Sequence, residues 1–327
     1  MDHRKLTMQE VLGRLLTPAP TCILFHVNPD ADAVGSAFAL AAFLKAQGSD
    51  CYCVCANEVP ERLQFLSNGM QKSVLSASVP AAFEQARIIT VDTASPAQLG
   101  ALYELYGDRI SLMIDHHGKG TPYADHLIVP EAAACGEIIF DLIAESGKEA
   151  PEACAPLLYA AISSDTGGFR YSNTTKETHL RVAALVEGGV DVAEISRKLF
   201  ETKSMQILRA EQLALERLRL YENGRIAIAA ISYDDKQFNK LEDEHLSTVV
   251  DVARSVAGVA VAVAIRQPGK DGTFRVSMRA NEDIDVSEIC AAFGGGGHKR
   301  AAGATMTAAG IADAEAKVLA EIVAKIG

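Results

Sequence analysis

The chain has 327 residues, 49% of them hydrophobic and 22% charged, and a formal net charge of −11. At about 150 residues per domain the length predicts two domains, and the composition excludes disorder and collagen-like repeats. A pI near 5.3 argues against duplex DNA held by phosphate neutralisation over a broad basic surface. It leaves room for a small nucleotide in a local site. The acids are uneven: residues 1–223 hold 28 acidic and 19 basic side chains, and residues 224–327 hold 14 and 12. A use for carboxylates is therefore to be sought in the first part.

The opening MDHRKLTMQEVLGRLLTPAP has acids at positions 2 and 10 and short apolar runs, unlike a signal peptide. No stretch reaches the roughly 18 apolar residues of a membrane span, so no membrane partner is expected. Seven cysteines, an odd number, fit a reducing cytoplasm better than a disulfide framework. TCILFHV (21–27) reads as a strand and SAFALAAFLKAQG (36–48) as a helix closed by Gly48. CYCVCA (51–56) follows as a strand whose period of two puts Cys51, Cys53 and Cys55 on one face. With no CxxC and no histidine nearby, buried strand thiols explain that run better than zinc.

ARIITVD (86–92) and ISLMID (110–115) are further strands with helical segments between. Continuous apolar strands separated by helices predict a parallel sheet covered on both faces, with ligands beyond the carboxyl ends of the strands. Three strand candidates end there in ionisable residues: His26 with Asp30 and Asp32, then Asp92, then Asp115-His116-His117. A loop through 26–34 would let Asp30 and Asp32 converge, with Gly35-Ser36 beginning the helix and its amide end favouring an anion. Paired carboxylates repel unless a cation lies between them. Asp92 reads equally well as a helix N-cap. Two histidines behind an aspartate match a metal ligand, an orienting group and a substrate contact. A helical segment at 155–163 leads to Asp165, followed by Gly167-Gly168-Phe169.

The stretch 191–220, without Gly or Pro, reads as helix connecting two halves. RIAIAAIS (225–232) and VAGVAVAVAIRQ (256–267) look like strands, PGKDG (268–272) signals a hairpin, and TFRVSMRA (273–280) is its second arm. A short helix over 285–292 precedes GGGGHKRAAG (294–303), and 309–326 reads as a closing helix. Glycines followed by His298, Lys299 and Arg300 suggest amides and bases cradling phosphate. The spacing fits neither a dinucleotide fingerprint nor a GxxxxGK[ST] loop. Arg279, at the end of a strand, is a second basic candidate and Arg266 a weaker one. Phe169 and Tyr171 read as packing before base stacking.

Taken in order, HVNPDADAVGS, VDTAS, DHH, SSDTGGF and GGGGHKRAAG resemble the motifs of the DHH phosphoesterase superfamily over nearly the whole chain. The likeness is to its NrnA-like oligoribonucleases, which also dephosphorylate 3′-phosphoadenosine 5′-phosphate. Ala31 stands where many members have Gly. The resemblance implies an α/β fold: a parallel-sheet catalytic DHH domain (1–190) with helices on both faces, a helical linker (191–222) and a smaller α/β substrate-binding domain (223–327). It implies two divalent cations, Mn²⁺ first, with Mg²⁺ or Co²⁺ as substitutes. His26 and Asp30 would hold one, Asp32, His116 and Asp165 the other, and Asp92 would bridge them. Oxygen and imidazole ligands suit Mn²⁺, and two ions about 3.5–4 Å apart can share a hydroxide and clamp phosphoryl oxygens.

Asp115 would then orient His116 or the backbone around it. His117 would face the scissile phosphate. In the second domain His298 and the amides of Gly295, Gly296 and Gly297, with Arg300 and Arg279, would grip the substrate. The implied substrates are short single-stranded RNA or DNA oligonucleotides and bisphosphorylated adenosine, and a homodimer is allowed. Cyclic or linear dinucleotide cleavage is the alternative within the superfamily. A non-catalytic nucleotide-binding protein is the alternative outside it, disfavoured because Asp30, Asp32, Asp92, His116 and Asp165 are all present. A pyrophosphatase would carry a different basic motif near its end.

Overall fold

A computed structural model describes residues 3–67 and 83–326. It divides into two compact units, Met1–Thr202 and Lys203–Gly327. The first runs α1 (Met8–Leu15), β1 (Thr21–Leu24), α2 (Ala31–Ala46), β2 (Cys51–Val54), β3 (Arg87–Val91), α3 (Pro96–Leu99), α4 (Ala101–Tyr106), β4 (Ile110–Asp115), β5 (His126–Ile128), α5 (Cys135–Glu145), α6 (Cys154–Asp165), α7 (Lys176–Glu187) and α8 (Val192–Ser196). Its strands form one parallel sheet in the order β2-β1-β3-β4-β5. Alternate residues go to opposite faces. Ile23, Ile89, Val91, Leu112 and Ile114 pack with Phe38, Ile138 and Leu158, whereas Cys22, Leu24, Ile88 and Met113 pack with Leu99 and Leu102. Burial on both faces is why these strands read as unbroken apolar runs. All seven cysteines are buried as thiols, and Cys51 and Cys53 lie on β2, as the reading of CYCVC as buried strand thiols expects.

α2 is buried over fourteen consecutive residues, Ala31 to Leu44, the pattern of a helix enclosed on every side. Small residues make this fit. A Cβ on Gly35 would lie 2.5 Å from the Leu157 carbonyl oxygen and 3.0 Å from Ala161 Cβ, and one on Gly136 would lie 2.7 Å from Ala161 Cβ. α2, α5 and α6 therefore meet nearly backbone to backbone, with the start of α5 laid on the start of α2.

The second unit runs α9 (Met205–Arg217), β6 (Leu218–Tyr221), β7 (Ile226–Ile231), α10 (Tyr233–Asn239), α11 (Val249–Arg254), β8 (Val261–Arg266), β9 (Thr273–Ala280), α12 (Val286–Ala291), β10 (Gly296–His298), β11 (Ala301–Thr307) and α13 (Ile311–Ile326). Its sheet is ordered β10-β11-β9-β8-β7-β6, parallel between β7 and β8 and antiparallel elsewhere. The core lies between the sheet and α12 and α13, around Val263, Phe274, Met278, Ile289, Val318 and Ile322. Among the described residues no helix is long and apolar enough to cross a membrane.

Two local expectations change. α2 begins at Ala31, not at Gly35, because Asp30 caps it by accepting from the Ala33 amide at 3.0 Å. The stretch 191–220 is not one helix. α8 passes into a π-turn at Arg197–Glu201, Thr202 is extended, Ser204 caps a new helix at the Ile207 amide, and Leu218–Tyr221 pairs with β7. The glycine-rich segment forms a hairpin, in which Gly296, Gly297 and His298 pair with Gly303, Ala302 and Ala301.

A Gly→Ala change in an ordinary helix interior gains about 0.5–1 kcal/mol. At Gly35 the added methyl meets a backbone oxygen that cannot yield, so Gly35→Ala is expected to lose about 1–3 kcal/mol instead. A lower urea midpoint at unchanged slope checks the sign.

Candidate metal centre

The parallel sheet sends the chain out at one edge after β1, β3 and β4. His26 lies two residues past β1, Asp92 directly follows β3, and Asp115 ends β4. His26 Nδ1 donates to the Val27 carbonyl at 2.9 Å, which turns Nε2 toward Asp92 Oδ2 at 3.4 Å and Asp30 Oδ1 at 3.7 Å. His116 Nδ1 donates to the Ala132 carbonyl at 3.3 Å. Its Nε2 lies 3.5 Å from Asp92 Oδ1, 3.5 Å from Asp165 Oδ2 and 3.8 Å from Asp32 Oδ2. Asp165 is the last residue of α6, and its carbonyl accepts from Asn173 Nδ2 at 3.1 Å.

His26, Asp30 and Asp92 form one cluster, and Asp32, Asp92 and His116 another, each with its ligand atoms within 4.8 Å of one another. Asp92 belongs to both through different oxygens. It is 2% exposed, and its Oδ1 is buried with no hydrogen-bond partner among the described residues. The separations exceed the 2.7–3.2 Å of N–H···O bonds. Ligand atoms around a shared cation at about 2.1 Å would stand about 3–3.5 Å apart. An orphaned buried carboxylate oxygen and an all-oxygen-and-imidazole donor set both fit hard divalent cations. Asp92 is no helix cap: it adopts φ 54°, and the next helix starts at Pro96 behind Ser95.

Asp115 Oδ1 sits 2.7 Å from His117 Nδ1. That bond places the proton on Nδ1 and leaves Nε2 as the atom to present outward. Asp32 is completely buried and tied down: Oδ2 accepts from the Cys135 amide at 2.6 Å, and Oδ1 from the Gly136 amide at 2.9 Å and Ser36 Oγ at 2.8 Å. Ser36 and these amides were missed from sequence. A signal was there: α5 follows Ala132-Ala133-Ala134 and has no side-chain cap of its own, so an acceptor must come from elsewhere.

The crowding shows in the titration of these groups. Burial disfavours charge on His26, yet Asp30 and Asp92 outweigh it and hold the imidazole well above the usual histidine range. Burial is likewise outweighed at His116, by Asp92, Asp32 and Asp165, and at His117 by Asp115. Against the effect of burial, His116 and His26 hold Asp92 well below the carboxylate range. Burial and the Asp92 charge push Asp32 up to about 7. Burial and the charges of Asp32 and Asp30 hold Asp165 well above the ordinary value.

In the second unit the glycine hairpin is tight. A Cβ on Gly295 would lie 2.2 Å from the Gly303 carbonyl oxygen, and one on Gly297, at φ 140°, would lie 2.7 Å from that of Ala301. Backbone packing thus requires these glycines before any ligand does. His298 is exposed on β10; Arg300 lies 4.0 Å from Asp283, and Lys299 2.7 Å from it. Arg279 stands opposite Ala301 on β11 and donates to the Met278 carbonyl. Arg266 donates to Ser277 Oγ. In the first unit Phe169 packs edge-on against Tyr159, as a packing residue would, whereas Tyr171, which lies over Gly167, is exposed.

Residues 20–162 match the DHH family, N-terminal domain, and residues 223–326 match the DHHA1 domain. The bifunctional oligoribonuclease and PAP phosphatase NrnA of Thermus thermophilus is 31% identical over 92% of this chain and 88% of its own. A solved exopolyphosphatase-related protein from Bacteroides fragilis superposes with a TM-score of 0.86 at 22% identity, over 97% of this chain and 96% of that one. RecJ from Thermus thermophilus, solved in complex with Mn²⁺, shares the fold at a TM-score of 0.52 and 16% identity, over 97% of this chain and 54% of its own.

A divalent cation takes up deprotonated ligands. In the cation-free protein His26, His116, Asp32 and Asp165 are biased toward their protonated forms, whereas Asp30 and Asp92 are already ionised. Mn²⁺ binding near neutral pH is therefore expected to release protons, and affinity to rise as pH rises from about 6 to about 8. Calorimetric titration in buffers of different ionisation enthalpy measures both. Binding without proton release would contradict this assignment.

Proposed function

Because the chain belongs to the DHH family, with a DHHA1 domain after the DHH domain, we propose that it hydrolyses phosphoester bonds in very short oligonucleotides and in 3′-phosphoadenosine 5′-phosphate, supported by Mn²⁺. The observation that carries the reading is Asp92, whose two oxygens are divided between the His26–Asp30 cluster and the His116–Asp32 cluster. His26, Asp30 and Asp92 would hold one cation, and Asp92, Asp32, His116 and Asp165 the second. Bound there, the pair supplies an activated water and Lewis-acid polarisation of a phosphoryl oxygen.

The protein's own groups do the rest. Asp115 holds His117 through Nδ1, and His117 Nε2 would face the phosphate or the leaving oxygen. Asp30, at the mouth of α2, is the most open of the carboxylates, with 46% of its side chain exposed. Asp32 is fixed by three donors and keeps one oxygen directed at the His116 cluster. In the second unit His298, the amides of Gly295, Gly296 and Gly297, Arg300 and Arg279 would hold the nucleotide. A small substrate suits an acidic chain without a broad basic surface. Action in the cytoplasm belongs to the same proposal, supported by seven cysteines buried as thiols.

Asparagine tolerates the positive φ of Asp92, so Asp92→Asn is expected to keep the fold and lose Mn²⁺-supported hydrolysis by at least about a hundredfold. The assay covers di- to pentanucleotides, a 24-mer, bisphosphorylated adenosine, cyclic dinucleotides and pyrophosphate. Undiminished activity in Asp92→Asn, or in wild type with a strong chelator, would overturn the reading. A preference for cyclic dinucleotides or pyrophosphate would move the substrate elsewhere in the family. His298→Ala is expected to raise KM more than it lowers kcat; the same panel measures it.

A further inference from the structure

Asp92 owes its place between the two clusters to a backbone conformation that disfavours a side chain. Its φ of 54° is uncommon outside glycine, less so for aspartate and asparagine than for other residues, and persists where the surroundings hold it. A return to negative φ would re-aim Cβ and both carboxylate oxygens. What holds the turn is legible around it. The Asp92 amide still donates to Ile114 at 3.0 Å, the last rung toward β4. Beyond it, the segment that follows the two histidines folds back on the turn. A Cβ on Gly120 would lie 2.4 Å from the Ala94 carbonyl oxygen, and the Thr121 amide donates to that same oxygen at 3.1 Å. Tyr123 closes the contact. Its hydroxyl donates to Thr90 Oγ1 at 2.9 Å and is hydrogen-bonded to Thr93 Oγ1. Thr90 and Thr93 are fully buried and Tyr123 is 7% exposed, while Tyr103 packs edge-on against its ring.

We propose that Tyr123 is a positioning residue for the metal centre: its hydroxyl, bridging Thr90 before Asp92 and Thr93 after it, locks the left-handed turn that divides the Asp92 carboxylate between two cations. The inference rests on the proposed role of Asp92 as the shared ligand. It adds a residue that touches neither cation nor substrate. Thr90 and Thr93 bracket Asp92 by two residues on one side and one on the other, so a single phenol fixes both ends of the turn. The two loops that bring Asp92 and His116 to the same edge are thereby tied to each other.

The test is Mn²⁺ titration of the full chain by calorimetry, without substrate, together with thermal melting and with kcat and KM at saturating Mn²⁺. Tyr123→Phe and Thr93→Val are each expected to weaken Mn²⁺ binding by about tenfold or more, with KM at saturating Mn²⁺ unchanged. The double variant is expected to be no weaker than the worse single one, since both break one link. Thr93→Ser, which keeps the hydroxyl, is expected to restore wild-type affinity. Ile322→Ala, a core truncation in the second unit, is expected to lower the melting temperature and leave Mn²⁺ affinity alone. If Tyr123→Phe and Thr93→Val behave like Ile322→Ala, Tyr123 is only structural and the proposal fails. A wild-type chain that takes up no Mn²⁺ would overturn the reading beneath it as well. Should Tyr123→Phe not fold, the comparison of Thr93→Val with Thr93→Ser decides.

Discussion

Five aspartates, Asp30, Asp32, Asp92, Asp115 and Asp165, converge on one edge of a sheet, and that crowding of negative charge is the constraint around which the first unit is arranged. Asp92 is the pivot because β3 is the middle strand of five, with β1 on one side and β4 on the other. A residue leaving the end of β3 necessarily stands between residues leaving β1 and β4, here His26 and His116. Strand order supplies a position shared by two clusters, and a carboxylate with two oxygens can occupy it. The imidazoles offset part of the charge in the cation-free protein; cations in both clusters would offset more.

Much of this edge was legible in the sequence because parallel strands have a fixed polarity and their buried cores read as apolar runs. Three of the apolar runs in the first half stop at ionisable residues, so the ends of β1, β3 and β4 announced themselves. Tertiary pairings were less legible. Asp115 as the partner of His117 depends on rotamers and on which ring nitrogen meets which carboxylate, and spacing carries no record of it. The break at Thr202 was hidden because a stretch without Gly or Pro satisfies helix propensity throughout, while pairing of Leu218–Tyr221 with β7 overrides it.

The glycine-rich segment shows how one sequence feature can serve two demands. Sequence reasoning assigned its glycines to a ligand, and the structure gives Gly295 and Gly297 a prior task in letting β10 lie against β11. Gly296 has nothing near its missing Cβ and is exposed, which makes it the glycine of the three whose role the hairpin itself does not explain. The basic side chains beside it are partly offset by Asp283.

Asp32 is at once a member of the carboxylate cluster and the cap that α5 lacks in its own sequence. Asp32 therefore answers two demands at once. In a lineage that gave up chemistry, Asp92 could drift as soon as the cations were dispensable, whereas loss of Asp32 would also unseat a helix from the core. Relics of this fold should keep their second aspartate longer than their central one, so an intact Asp32 is weak testimony to activity and an intact Asp92 is strong.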